Sequence, residues 1–496
     1  MAASRHTELA KAAATPSLHV VVFPWLAFGH MIPFLELSKR LAMRGHAVTF
    51  VSTPRNAARL GAIPPALSAH VRVVTLHLPA VDGLPEGAES TADVPPEMVG
   101  LLKKAFDGLA TPFAGLVADA CSTGAGEAAA TAAAAVRFSR KPDWIILDFA
   151  QNWIWPIAEE HKIPCAVFLI VTAAMISFIG TKEVNLAHPR TTTEDYMVPP
   201  PWIPFPSTLA YRGHEAEWIA NIFRPNASGV SDADRFWDLQ RPCCRLIVYR
   251  SCPEAEPRLF PLLTELFARP AVPAGLLMPA DGGHITYSDE SFAPAIQWLD
   301  EQPERSVIYV ALGSEAPVTA DHVRELAHGL ELSGVRFLWA LRPPSGGAHH
   351  AGALLPDGFE SRVAARGLGL VCTDWVPQVR VLAHGAVGAF LTHCGWGSTV
   401  ESFRFGHPLV MLPFVVDQSL IAQAMTARGI GVEVARNYDD GSFHRDAVAA
   451  AVRRVMVEEE SREYTRKAKQ LQEVLMDKVQ QELYLDELVG YLHRYK

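Results

Sequence analysis

Twelve short runs of β-branched and aromatic apolar residues, alternating with longer stretches of helical period, constrain this chain more than any other feature. In the first half they are H-V-V-V-F (19–23), A-V-T-F-V (47–51), V-R-V-V-T-L (71–76), W-I-I-L-D-F (144–149), C-A-V-F-L-I-V (165–171) and R-L-I-V-Y (245–249). In the second they are S-V-I-Y-V-A-L (306–312), R-F-L-W-A-L (336–341), L-G-L-V-C (368–372), V-G-A-F-L-T (387–392), L-V-M-L-P-F (409–414) and G-V-E-V-A (431–435). Continuous apolar runs of this length are how strands of a parallel sheet look when helices bury both faces. At 496 residues the chain also exceeds one ordinary core. Two doubly wound α/β units are therefore expected, each binding ligands beyond the carboxyl ends of its strands.

The join is expected at 277–296, where P-A-D-G-G-H-I-T-Y-S-D-E-S interrupts the apolar pattern with Gly, Pro and acidic residues. It would separate an N-terminal domain over 18–276 from a C-terminal domain over 297–472, with a cleft between them as the default site. Residues 1–17 read as a mobile tail, and 473–496 as a terminal helix packing back across the body. From Glu459 to Lys496 the chain is charged and helical in period, with Leu471, Val474, Leu475, Val479 and Leu483 as the expected apolar stripe. Residues 184–235, with P-P-P-W-I-P-F-P, are too long and broken for a simple connection, and loops of that kind often cover a binding site.

Several classes of function are disfavoured by composition. A net charge of −9 leaves no basic footprint for nucleic acid. The seven cysteines have no C-x-x-C spacing, which suits reduced thiols and a cytoplasmic protein better than a disulfide framework or zinc site. The longest uncharged run, Ile163 to Thr181, contains Pro164 and reads as a buried strand followed by a core helix, not a membrane span. Asn226-Ala-Ser228 fits a glycosylation sequon, but the N-terminus has no secretory h-region.

Candidate chemistry sits at strand exits. His30 lies where a helix should begin after strand 19–23; the positive end of a helix keeps an imidazole neutral and able to accept a proton. It is a candidate general base or a turn cap. Asp148, ending W-I-I-L-D-F, could orient that imidazole or cap a helix. T-H-C-G-W-G-S-T-V-E-S (392–402) ends a strand, offers Gly395 and Gly397 for close backbone approach, and starts a helix near Ser398, a design suited to a diphosphate. His393, Trp396 and Ser398 could add side-chain contacts. Ser398 and Glu401 equally form a capping-box pattern.

The 44 residues from Trp375 to Gln418, W-V-P-Q-V-R-V-L-A-H-G-A-V-G-A-F-L-T-H-C-G-W-G-S-T-V-E-S-F-R-F-G-H-P-L-V-M-L-P-F-V-V-D-Q, closely resemble the signature box of the plant UDP-dependent glycosyltransferases. The similarity extends through L-G-S (312–314) and P-W-L-A-F-G-H-M-I-P to essentially the whole chain. The resemblance implies a GT-B architecture of two Rossmann-like domains facing across a cleft, acceptor in the N-terminal half and UDP-sugar in the C-terminal half. By position, Trp375 matches the uracil-stacking residue, with Val376 and Gln378 completing the uridine site and Glu401 binding the ribose hydroxyls. His393, Ser398 and Ser314 match diphosphate contacts, and Trp396, Asp417 and Gln418 match sugar contacts. His30 matches the catalytic base and Asp148 its partner, with Phe28 and Phe149 expected against the acceptor.

The implied reaction is metal-independent transfer with inversion from UDP-glucose, a co-substrate, with no cofactor and the protein a monomer. A D-x-D element, Asp232-Ala-Asp234, reads as a solvated turn. The wording P-W-L-A-F-G-H and S-T-P-R-N (52–56) resembles the subgroup that adds sugar to a sugar already on a terpenoid, such as a steviol-type diterpenoid, or on a flavonoid.

Two rivals remain at this stage. Gly124-Ala-Gly126-Glu-Ala-Ala129 fits a dinucleotide fingerprint, with Asp143 as its acidic partner, and would mean an NAD(P)-dependent oxidoreductase. A non-catalytic binding protein on the same fold is the other, and Gly397 is its support: the family usually has Asn there, donating to the diphosphate. A hydrogen bond to a charged group is worth about 1.5–3 kcal/mol, so its uncompensated loss would weaken donor handling roughly 10- to 150-fold.

Overall fold

The structure, a computed structural model, describes residues 16–122, 138–278, 293–313, 316–342, 354–374 and 376–496. Its strands form two all-parallel sheets. The first contains β1 (His19–Phe23), β2 (Ala47–Ser52), β3 (Val71–Thr75), β4 (Trp144–Leu147), β5 (Cys165–Leu169), β6 (Cys244–Tyr249) and β7 (Ala271–Pro273), in the order β3-β2-β1-β4-β5-β6-β7. The second contains β8 (Val307–Ala311), β9 (Arg336–Ala340), β10 (Gly369–Cys372), β11 (Val387–Thr392), β12 (Leu409–Met411) and β13 (Gly431–Glu433), in the order β10-β9-β8-β11-β12-β13. All twelve expected runs contribute a strand. The thirteenth, β7, escapes the sequence pattern because A-V-P is three residues long and sits at the sheet edge, where proline's missing N–H costs no ladder bond.

Both orders reverse direction at one place, between β1 and β4 and between β8 and β11. Connections leave the sheet to opposite sides there, opening a crevice beyond the carboxyl ends of the central strands. The sequence-predicted chemistry falls at these two exits. His30 follows β1 on helix α1 (Phe28–Met43), and Asp148 is the first residue after β4. Gly313 follows β8, and His393 to Gly397 follow β11. Helix α1 is anchored by Met31, Phe34, Leu35, Leu37 and Leu41, a buried stripe that fixes its start, and so His30, over the crevice.

Further helices matter to the site: α2 (Ala173–Ile179), α3 (Gly213–Asn221), α4 (Asp232–Trp237), α5 (Gln378–Leu382), α6 (Trp396–Phe405), α7 (Gln418–Ala427), α8 (Ser461–Leu475) and α9 (Lys478–Arg494). The insertion-like stretch folds around Arg190. Its guanidinium lies 4.8–5.1 Å from the ring centres of Phe178, Tyr196, Trp202 and Phe223, and donates to the carbonyls of Phe178 and Ile179. Arg212, N-terminal to α3, pairs with Glu433 of β13, so this stretch touches the second sheet.

The terminal segment departs from expectation. Asp477 caps a new helix, splitting it into α8 and α9. The break shifts the helical phase, so Val474, Val479 and Leu483 are exposed while Tyr484, Leu485, Leu488 and Leu492 are buried. Helix α9 lies on the first sheet: Trp144 donates to the Leu492 carbonyl at 2.9 Å, and Arg40 of α1 and Arg44 at its C-cap pair with Glu482. No helix among the described residues is long and apolar enough to cross a membrane.

Most of the 1–17 and 277–296 stretches lies outside the described residues, as do Gly124, Gly126 and Ala129. Asp143 counts against the dinucleotide reading. It precedes β4, at the amino end of the sheet, and accepts from the His19 backbone at 2.7 Å while pairing with Arg140. A ribose-binding carboxylate belongs at the opposite edge.

Candidate functional site

At the first crevice, His30 Nδ1 and Asp148 Oδ2 are 2.7 Å apart. Asp148 is buried at 1% exposure, and its carboxylate also accepts the N–H groups of Trp25 at 3.0 Å and Phe149 at 2.8 Å. Gln151 completes the frame by accepting from the Asp148 backbone and donating to the Phe23 carbonyl. A carboxylate bound this way is held in place, fixes the imidazole tautomer with Nδ1 protonated, and is set to stabilise an imidazolium. Of the two alternatives for Asp148, the helix cap is not seen, since the N-cap of the helix that follows is Trp153, and the carboxylate lies against His30. Phe149 stands 5.7 Å from His30, ring centre to ring centre, and stacks on Phe236 at 5.1 Å, while Phe28 lies beneath the Arg59 guanidinium. Both aromatics remain partly exposed beside the pair.

The second crevice is built around His393. Cys394 takes a left-handed φ of 66°, and the chain turns from β11 into α6 within three residues. A Cβ at Gly395 would stand 2.4 Å from His393 Nε2, and one at Gly313, whose φ is +73°, 2.8 Å from the same ring. Gly395 was expected to admit a ligand; what it admits first is this imidazole. Burial pushes the His393 pKa down to about 4 and leaves Nδ1 without a partner among the described residues, so the ring is neutral near pH 7.

The capping-box alternative fails. Helix α6 starts at Trp396, not Ser398, and its N-cap Gly395 offers no side-chain hydrogen bond. The first-turn N–H groups are therefore left without a side-chain cap, facing the crevice. Ser398 and Glu401 are instead gathered by Gln378, whose Nε2 donates to Ser398 Oγ at 3.1 Å and Glu401 Oε2 at 2.7 Å. Burial raises the Glu401 pKa. Val376 is buried beside them, while Ser314 and Trp375 lie outside the described residues.

Trp396 is committed elsewhere: its indole is 4% exposed and donates to the Arg250 carbonyl at 2.6 Å. What it can offer a ligand is backbone, not the side-chain contact expected. Gln418 accepts the Phe414 and Val415 N–H groups and so shapes the turn before α7. Asp417 reaches across the crevice to accept the Thr172 N–H at 3.0 Å, just before α2. Burial raises its pKa, against the opposing effect of its hydrogen bonds with Thr172.

The D-x-D element is a helix N-terminus, not a solvated turn. Asp232 pairs with Lys103 at 2.6 Å, and Asp234 is held by Ser231, the N-cap of α4. Sequence reasoning passed over Arg250, although it occupies a strand exit, after β6, as Asp148 does after β4. Its side chain is 4% exposed and comes within 3.5 Å of where a Cβ at Gly397 would lie.

Comparison with known proteins agrees with this geometry. Residues 273–485 match the family model described as UDP-glucoronosyl and UDP-glucosyl transferase. UDP-glycosyltransferase 91B1 of Arabidopsis thaliana is 41% identical over 491 residues, covering 96% of this chain and 97% of the relative. Beta-D-glucosyl crocetin beta-1,6-glucosyltransferase of Gardenia jasminoides is 32% identical, covering 88% and 90%. Among solved structures, Arabidopsis thaliana UGT89C1 complexed with UDP-L-rhamnose superposes with a TM-score of 0.72 at 26% identity, covering 96% of this chain and all of that one.

Proposed function

The chain belongs to the plant UDP-glycosyltransferase family, and from that premise we propose that it transfers a hexose, glucose foremost, from its UDP-sugar to a hydroxyl of a small lipophilic glycoside, inverting the anomeric centre. The observation that carries the proposal is the 2.7 Å His30–Asp148 pair at one switch point, with the α6 terminus, which has no side-chain cap, at the other. With Nδ1 held by Asp148, Nε2 of His30 takes the proton from the acceptor hydroxyl. The acceptor oxygen forms a bond to the anomeric carbon from the face opposite UDP. The bond from that carbon to the diphosphate oxygen breaks, and UDP leaves with the electron pair. Asp148 stabilises the imidazolium, and the charge developing on UDP meets His393, Ser398, Ser314 and the first-turn N–H groups of α6.

In this reading Trp375, Val376 and Gln378 hold the uridine, Glu401 the ribose diol, and the Trp396 backbone with Asp417 and Gln418 the sugar. Phe28 and Phe149 form the apolar wall against the acceptor. The transfer runs without a metal, in keeping with Asp232 and Asp234 being tied to Lys103 and Ser231. A glycoside acceptor is supported by the Gardenia relative, whose name describes glucose added to a glucosylated molecule.

Incubation with UDP-glucose and a panel of terpenoid and flavonoid glycosides, read by mass spectrometry, should show addition of one hexose. His30→Ala should slow formation of that product roughly 10²- to 10⁴-fold, with UDP affinity retained. No product from any acceptor, together with indifference to His30→Ala, would sink the reading.

A further inference from the structure

Gly397 poses the question of what replaces the amide the family usually carries. The structure places a cation there. Arg250 lies at the exit of β6, its backbone N–H bonded to the Leu169 carbonyl and its own carbonyl held by the Trp396 indole, so it is fixed to both sheets. Its Nε donates to the Leu276 carbonyl at 3.0 Å, which aims the end of the guanidinium away from that bond. Nη1 stands 3.5 Å from the position of a Cβ at 397, the second residue of α6, and beyond that residue's own chain neighbours and helix backbone no other atom of the described residues lies within 4 Å of it. Neither Nη group has a hydrogen-bond partner among the described residues. The carboxylates whose charge reaches it are Glu401 and Glu36. Neither forms an ion pair with it: Glu401 is held by Gln378, and Glu36 by Arg40 at 2.8 Å and Lys39 at 3.8 Å.

This is an unfavourable arrangement for a protein alone. A buried guanidinium is costly unless its donors are used, and the N-terminus of a helix is the end that repels a cation. Two positive ends converging on one gap favour an anion between them. A guanidinium presents its donors in a planar fork matched to phosphate oxygens.

We propose that Arg250 is a donor-binding residue, contributed by the N-terminal half, whose guanidinium uses the space beside Gly397 to grip the diphosphate of the UDP-sugar. Glycine at 397 is then the partner of Arg250: a Cβ alone would only touch Nη1 at 3.5 Å, but a longer side chain there would reach into the space of the guanidinium. The inference rests on the UDP-sugar reading above.

The test measures UDP and uridine affinity by calorimetry for the unaltered protein, Arg250→Met, Arg250→Lys and the double variant Arg250→Met with Gly397→Asn. Uridine lacks the phosphates and reports whether the site is intact. Arg250→Met should weaken UDP about ten-fold or more while uridine stays within about two-fold, because a charged hydrogen-bond donor to phosphate is lost. The double variant should recover part of the UDP affinity. Should Arg250→Met fail to fold, Arg250→Lys carries the same comparison, with a smaller selective loss expected. UDP affinity unchanged, or UDP and uridine weakened in parallel, would overturn the role of Arg250 and leave the transferase reading standing. Failure of the unaltered protein to bind UDP would overturn both.

Discussion

His30 and Asp148 are 118 positions apart, and each by itself admits a mundane role. What brings them together is one contact. The strand exits that carry them were legible, because an apolar run ending in a charged or imidazole side chain is visible in sequence; the contact was not, because it depends on β1 and β4 being neighbours. Asp148→Asn keeps the shape but not the charge, and an amide can present its N–H to the imidazole and favour the wrong tautomer. It should lower kcat roughly 10²- to 10⁴-fold with little change in UDP affinity. Equal losses in turnover and UDP binding would mean that Asp148 supports the fold of the site, not the proton transfer. Arg250 shows the converse. Its position after β6 carried the same signal as Asp148, but nothing in the sequence says that a side chain from the first sheet reaches position 397 in the second.

At the scale of elements, helix α6 was anticipated by its strand–turn–helix pattern, yet its first residue was not. A capping box at Ser398 would satisfy the orphan N–H groups; starting two residues earlier on an uncapping glycine leaves them for a ligand. The glycines of the turn divide their work in a way spacing cannot reveal. Gly395 has an ordinary backbone and is required for room, so Gly395→Ala should displace His393, whose Nε2 lies 2.4 Å from the added Cβ. The expected result is UDP affinity reduced about ten-fold and stability reduced by about 1–3 kcal/mol, read by calorimetry and denaturant melts. Unaltered UDP binding would remove His393 from the site. The terminal segment teaches a related lesson: its helical period was visible, but the cap at Asp477 changed the phase and with it the buried face.

Across the whole molecule, two sheets are tied by elements that ignore the sequence order. Helix α9, at the end of the chain, packs on α1 and β4, and Asp417 beside the second sheet accepts from Thr172 of the first. Buried histidines make the stability of this assembly depend on pH. His407 donates from Nε2 to the Leu382 carbonyl, leaves Nδ1 buried without a partner among the described residues, and has its pKa lowered to about 4 by burial. An unfolded histidine titrates at about 6.5. Between those values the unfolded chain binds more protons, so the stabilising contribution is complete above about pH 6.5 and is lost as pH falls towards about 4. Buried Glu401, Asp417 and Glu256, whose pKa values are raised, push the other way. His407→Gln isolates the effect: chemical denaturation at a series of pH values should show a shallower loss of stability for the variant through that window. Identical slopes would mean that His407 is not buried neutral in solution. The amino-acid sequence by itself determined every strand but β7, the two-fold repetition of a doubly wound sheet and the strand exits where chemistry gathers, because burial on both faces and glycine-rich turns are local properties of a chain. Only the tertiary structure decided which exits meet, which helix N-terminus stays uncapped and which guanidinium fills the place of a missing side chain. Those depend on distances between residues far apart in the chain, and such distances are set by the packing of whole elements.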